Sequence, residues 1–464
     1  MSKTVVLLLV LEFLIASCLV LANPVSGDAE DENSWVSKAP MGWARGCLGV
    51  ATVNGKIYAI GGDEGHLMDM FWNPLFITHD VVDTNEEYNP ILDKWVWKSP
   101  MPTARARFGT AVYQNKIYCI GGYNTGLAEV GVNEVYDPAT NTWEVRASLP
   151  TPRSAPATNV VDGKIYAIGG LSTETHSTLN VVEVYDPETD TWTTKTPPPL
   201  EVKGSASAVV DDKIFVLGEE LIDPVLYRVG YRIQVYDPAD DSWSIRSPAK
   251  ANFWGSAVAT SGLNAYKRVY FFDENWTTVY DPSSDSWSDG ASSPTPRPLA
   301  GAVAIDDLIY VVGGRMRDEQ TGDWGYIVDM KPTTANEQYM PLGYGTIPPD
   351  ISIISPENAN YTSNNVTLAF AVNKKVEWMG YSLDGQENVT ITGNTTLAEL
   401  SNGLHNITVY AKDSFENSGA SKAISFSVDV PDSFLNLVIT AVASVAAVGV
   451  VGLGLVVYFK KRKH

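Results

Sequence analysis

Ile117-Tyr118-Cys119-Ile120-Gly121-Gly122, followed by Glu134-Val135-Tyr136-Asp137-Pro138 and then by Trp143, spells strands and the turns that bound them. Alternating β-branched and aromatic residues suit a half-buried pleated surface. The glycine pair ends its strand where positive φ or close backbone approach is needed. Asp-Pro opens a tight turn, because proline presets φ and aspartate bonds its own backbone. The tryptophan returns on the next strand as a large apolar wedge.

The phrase recurs along the chain. Its first half stands again at Ile57–Gly62, Ile165–Gly170 and Ile309–Gly314, with degenerate copies at Ile214–Glu219 and Val269–Glu274. Its second half stands at Asn89-Pro90…Trp95, Asp186-Pro187…Trp192, Asp237-Pro238…Trp243 and Asp281-Pro282…Trp287. Another apolar run precedes each glycine-ended strand, as at Gly46–Val53, Gly109–Val112 and Ala157–Val161. Each unit therefore reads as a four-stranded antiparallel sheet that cannot bury both faces alone, and radial packing into a propeller resolves this. Six glycine-type strands imply six blades. Ser34-Trp35-Val36-Ser37 copies the phrase around Trp95 with no blade before it, while the sixth blade (297–340) has Tyr326-Ile327-Val328-Asp329 but no Trp where one is due. The expectation is that the N-terminal strand completes the sixth blade and closes the ring.

Glycine pair, Val-Tyr-Asp-Pro, Trp and then Met/Leu-Pro-x-x-Arg together resemble the kelch repeat over about residues 34–345. The arginine stands at Arg45, Arg105, Arg153 and Arg297; Lys203 and Trp254 lie near its place in the fourth and fifth units. The resemblance implies an all-β, six-bladed kelch-type β-propeller. It also implies non-covalent binding of a protein or glycan through the propeller faces. Because six-bladed kelch proteins include sialic acid mutarotases, an extracytoplasmic carbohydrate-active enzyme is the alternative, and a purely structural envelope component is a third reading. Galactose oxidase, a kelch-type copper enzyme, needs paired His and a Tyr-Cys cross-link; no His pairing here matches, and that activity is not carried over.

The ends of the chain carry their own signals. Residues 1–22 read as a secretory leader, with Lys3 before an apolar run and small residues at Val20-Leu21-Ala22. A competing reading takes Ile15-Ala16-Ser17-Cys18 as a lipobox with Cys18 lipidated. Residues 434–459 hold no charged side chain and are long enough to span a bilayer; the basic tail 460–464 follows. The positive-inside rule then expects a single-pass cell-membrane protein with its bulk outside, the lipid bilayer being its partner at 434–459. Between them, 346–349 read as a linker and 350–430 as seven short strands, an Ig-like β-sandwich without a Cys pair. The run from Leu400 to Asn417 resembles the penultimate strand and turn of Ig-like modules in prokaryotic, archaeal-type surface proteins. Acceptor sequons for N-glycosylation stand at Asn275, Asn360, Asn365, Asn388, Asn394 and Asn406, most of them in this domain.

With 33 Lys+Arg against 54 Asp+Glu, the chain carries −21, which argues against a nucleic-acid partner. Three Cys allow no disulfide scaffold, and the five His form no metal-binding pair, so no metal, cofactor or catalytic residue is assigned. Two features stand out as candidate ligand sites. The first is the set Arg45, Arg105, Arg107, Arg153 and Arg297, recurring where strands enter the blade centre. Pointing into the channel mouth they would bind carboxylates or acidic sugars; pointing into the blades they would brace them. The second is the first-blade insertion, with 25 residues between Gly62 and Tyr88 against 13 between Gly122 and Tyr136. It carries Phe71 and Trp72, which suit either recognition or a cap on the propeller.

Overall fold

The computed structural model describes residues 32–65, 67–70, 80–172, 177–204, 206–223, 228–250, 255–322 and 325–431. The expected leader, Phe71 and Trp72, and the run 434–459 with its basic tail lie outside these residues. Among the described residues no helix is long and apolar enough to cross a membrane. The chain divides into two compact units, Met1–Tyr344 and Gly345–His464.

The first unit is a β-propeller of six four-stranded antiparallel sheets. In the second blade, Gly109–Tyr113, Lys116–Ile120, Asn133–Asp137 and Thr142–Arg146 run from the channel outward. Cross-strand pairing follows the sequence pattern: Ile117 faces Tyr136, and Tyr136 faces Trp143. The second strand of each blade is buried on both faces, as in Ile57, Tyr58, Ala59 and Ile60. Core clusters straddle neighbouring blades, so that Tyr58 and Ile60 of the first share a cluster with Ile117 and Tyr136 of the second. Each sheet thus hides its apolar faces against the next.

Ring closure joins the first and last strands of the propeller. Ser34–Ser37 pairs with Asn336–Met340 in the sixth blade, Trp35 opposite Tyr339. The third strand of that blade is therefore Asn336–Met340. The segment Tyr326–Asp329, read from sequence as a degenerate copy of the phrase, belongs instead to a hairpin of Arg315–Gly322 with Gly325–Pro332. The physical reason is pairing: Glu337 and Tyr339 occupy the places that Glu134 and Tyr136 hold in the second blade. The first-blade insertion adds a third strand, Leu67–Met70, to this hairpin.

Six repeated contacts staple blade to blade. The third-strand tyrosine of each blade donates its hydroxyl to an Asp or Asn in the left-handed region: Tyr88 to Asp93, Tyr136 to Asn141, Tyr185 to Asp190, Tyr236 to Asp241, Tyr280 to Asp285 and Tyr339 to Asn33, all at 2.6–2.8 Å. The same acceptor oxygen takes a backbone N–H just beyond the outer strand of the preceding blade, as from Ala39 to Asp93 at 2.8 Å and from Ala291 to Asn33 at 2.6 Å. The outer-strand Trp adds a bond to the preceding blade; Trp95 donates to the Ala39 carbonyl and Trp35 to that of Ala291.

The second unit packs two sheets over one core. One sheet orders Ile351–Ser355, Val366–Val372 and Thr395–Leu397. The other orders Asn360–Tyr361, Ile424–Val428, Gly403–Lys412, Trp378–Leu383 and Val389–Ile391, with Ser418–Ala420 beside Gly403–Lys412. Leu368 and Leu397 from one face meet Ile407, Val409 and Phe426 from the other. Two short strands, Asn360–Tyr361 and Ser418–Ala420, exceed the seven expected; both are too brief to show an alternating pattern.

Two predictions follow from this frame. Trp35→Ala removes the closing wedge and costs about 3 kcal/mol, read as a lower melting temperature of the propeller; an unchanged melt contradicts ring closure. Buried His405 contacts the Ser401 carbonyl at 2.8 Å and the Asp384 carboxylate at 2.7 Å. The Ser401 bond raises its pKa above the ordinary value; burial opposes the rise and Asp384 adds to it. A raised folded pKa gives stability that is complete below the unfolded value of about 6.5 and is lost as pH rises through the folded value. Melting of the second unit should fall over that window, and His405→Gln should flatten the dependence.

Candidate functional site

The recurrent arginines enter from the segments that lead into each blade's inner strand. Arg45, Arg105, Arg153 and Arg297 are all buried, and each meets a third-strand glutamate of its own blade: Glu86 at 2.8 Å, Glu134 at 2.9 Å, Glu183 at 2.5 Å and Glu337 at 2.5 Å. One guanidinium nitrogen of each also donates to a second-strand carbonyl, those of Ala59, Cys119, Ala167 and Val311. Four of the five candidate ligand-binding arginines are therefore braces inside the blades. Burial acts to lower the pKa of Arg45, Arg153 and Arg297, and their glutamates oppose it.

Arginine and glutamate disappear together. In the fourth blade Lys203 stands near the arginine place and Gln234 holds the glutamate place, bonding both the N–H and the carbonyl of Leu200. In the fifth blade Thr278 holds the glutamate place. A buried carboxylate without its cation would be strongly unfavourable, so losing one partner requires losing the other.

Arg107 takes a different position. Its backbone is left-handed, as are those of Cys47, Ala155 and Leu299, the corresponding residues of other blades. Their amides link blade to blade around the axis: Cys47 N–H to Leu299 carbonyl at 2.9 Å, Arg107 N–H to Cys47 carbonyl at 2.9 Å, and Ala155 N–H to Arg107 carbonyl at 2.6 Å. This girdle forms the channel mouth, where Arg107, Cys47, Phe108 and Lys203 line a recess of about 70 Å³. A larger axial cavity of about 380 Å³ shares Leu48, Phe108 and Ala300 with it and is lined by the small inner-strand residues. Burial acts to lower the Arg107 pKa, but attraction to Cys47, Tyr123 and Asp63 outweighs it, so the guanidinium stays charged.

Around the mouth lies a buried polar network that the sequence did not signal. Asp63, Tyr123 and Arg315 occupy the position just after the glycine pair in the first, second and sixth blades. Asp63 accepts the Tyr123 hydroxyl at 2.7 Å and pairs with Arg315, which also donates to the Met330 carbonyl at 2.9 Å. Burial, with nearby Cys47 and Asp63, pushes the Tyr123 pKa upward and keeps it a donor. Lys203 pairs with Glu219 and lies 3.6 Å from Glu201. Cys47 and Cys119 are buried free thiols, and burial raises the Cys119 pKa to about 12. No group of His, Cys, Asp or Glu suited to a metal occurs among the described residues.

Two family models match within the first unit. A family model described as the KLHDC2/KLHL20/DRC7 Kelch-repeats domain matches residues 32–219, and one described as N-acetylneuraminate epimerase matches residues 135–323. The chain thus carries kelch-repeat domains. Human influenza virus NS1A-binding protein is 37% identical over 95 residues, 20% of this chain and 13% of that protein. Kelch-like protein 36 of Rattus norvegicus is 33% identical over 90 residues, 19% of this chain and 14% of its own length. The chain therefore spans only a small part of these relatives. Among solved structures, that of YjhT aligns with a TM-score of 0.48 and 14% identity over 63% of this chain and 95% of that chain.

Truncating one brace tests its role. Arg153→Ala leaves Glu183 buried and unpaired, and should cost about 3–5 kcal/mol in urea denaturation, whereas replacing both partners by leucine should cost much less. Unchanged stability in the single variant would return Arg153 to the list of ligand contacts.

Proposed function

We propose that the propeller is a carbohydrate-recognition head that takes an acidic sugar at the channel mouth. The observation that carries this reading is Arg107: of the five recurrent arginines it lines the mouth, close to Lys203, on a chain of net charge −21. A planar guanidinium can grip a carboxylate through two parallel hydrogen bonds, and the apolar side chains of Phe108 and Leu299 beside it favour that contact. Adhesion to a glycan or to a protein bearing acidic groups uses the same contact.

A second reading is turnover, a sialic acid mutarotase-like activity. The match of residues 135–323 to the N-acetylneuraminate epimerase model favours it. Interconverting anomers needs a proton moved between the anomeric hydroxyl and the ring oxygen, and the Asp63–Tyr123 pair, with Arg107 drawn to it, is the titratable cluster that reading would use.

The rest of the chain completes a surface protein in this reading. Residues 1–22 act as the leader, 434–459 as a single membrane span, and the sandwich as an Ig-like spacer of archaeal surface type. The strand order of its two sheets supports the Ig-like assignment. Asn360, Asn365, Asn388, Asn394 and Asn406 are all exposed, as glycosylation requires.

The deciding experiment pairs a glycan array with NMR of anomer exchange. Arg107→Lys, which keeps a cation beside Asp63, should weaken binding of carboxylated sugars at least tenfold by removing the two-pronged contact, with Arg107→Ala weakening it further in protein that its melt shows to be folded; undiminished binding in both contradicts the reading. Accelerated anomer exchange by the wild type, lost in Arg107→Ala, selects the enzyme.

A further inference from the structure

We propose a second recognition site between the fourth and fifth blades, a groove for an extended polyanionic saccharide. It goes beyond the channel reading and rests on different residues. The inner hairpin of five blades turns in two residues, as at Asp162-Gly163, whereas that of the fifth blade runs through Thr260–Arg268. This loop is held rigidly. Buried Asp307, in the adjoining turn of the sixth blade, accepts the Ser261 N–H at 2.5 Å, the Ser261 hydroxyl at 2.8 Å, the Asn264 N–H at 2.7 Å and the Ala265 N–H at 3.0 Å. Thr260 zips the neck, donating to the Tyr266 carbonyl at 2.6 Å and accepting the Arg268 N–H at 3.0 Å.

What the loop presents is an exposed aromatic among cations. Tyr266 is 54% exposed, and the Arg268 guanidinium lies 5.5 Å from its ring centre. Together with Lys267, Lys213 and Arg246 they border a groove of about 610 Å³. Lys267 pairs with Asp211, Lys213 with Asp237, and Arg268 lies 3.9 Å from Asp281; exposed Arg246 makes no ion pair among the described residues. Solvent-exposed pairs of this kind are weak, so an anionic ligand can take over their cations at little cost. An exposed aromatic ring suits the apolar face of a sugar, and the cations suit its carboxylates or sulfates. The groove is several times larger than the recess at the mouth, and fits a chain of residues.

Calorimetry on the full chain at low ionic strength tests this with a hexagalacturonate, a heparin-derived hexasaccharide, neutral maltohexaose and hexaglutamate. The acidic saccharides should bind, with maltohexaose and hexaglutamate at least tenfold weaker. Tyr266→Ala and Arg268→Ala should each lower affinity at least fivefold, and Tyr266→Ala should do so with unchanged melting, since its side chain is exposed. Arg107→Ala should leave this binding intact, which separates it from the channel. Equal binding of the neutral oligomer or the peptide, or full affinity in both loop variants, overturns the proposal.

Discussion

One oxygen atom per blade holds the ring together. On each left-handed turn an Asp or Asn side chain accepts both a tyrosine hydroxyl from its own blade and a backbone N–H from the blade before. Positive φ is what aims that side chain back across the sheet, and Asp and Asn tolerate it better than most residues. Accepting the tyrosine hydroxyl and the neighbouring N–H holds the carboxyls of Asp93 and Asp190 below their ordinary range, so they remain acceptors at moderate acidity. With the tryptophan bond beside it, this contact converts hydrophobic sheets that would stack anyway into a ring of defined order and spacing.

Inside each blade a different economy operates. A buried Arg–Glu pair contributes little net stability against a well-packed apolar alternative, but it strongly penalises partial loss. The fourth and fifth blades show the result: both members have gone, and Gln234 and Thr278 stand in uncharged. Those two blades also flank the groove that carries Tyr266, so departure from the repeat coincides with a surface the other blades lack. The sixth blade keeps its pair, Arg297 with Glu337, and uses it beside the strand borrowed from the N-terminus.

Much of this was legible in the sequence, for a physical reason. Gly-Gly, Asp-Pro and Trp are demanded by local geometry, and so the blades and the orphan Trp35 could be read directly. The direction of an arginine side chain is not a local property. Arg45, Arg105, Arg153 and Arg297 looked like ligands or braces until their glutamates were seen beneath them, although Glu134 and Glu183 already stood in the repeated Glu-Val-Tyr phrase. Arg107 differs from Arg105 only by lying two places on, where the backbone turns left-handed. Asp63, Tyr123 and Arg315 left no trace, because three different residue types share one position and meet only once the ring is closed. Tyr326–Asp329 misled because one strand of an inserted hairpin imitates the third-strand phrase over a few residues.

The strand Ser34–Ser37 has a consequence for how the chain comes off the ribosome. Asn33 and Tyr339 are 306 positions apart, so this strand must wait for the sixth blade before it can pair. At about 5–20 residues per second it waits roughly 15–60 s with an open edge and the Trp35 ring uncovered. Through that interval five blades stand as an unfinished arc whose two end sheets show apolar faces to water. Sheltering that strand until the sixth blade is made would therefore raise the yield of folded protein.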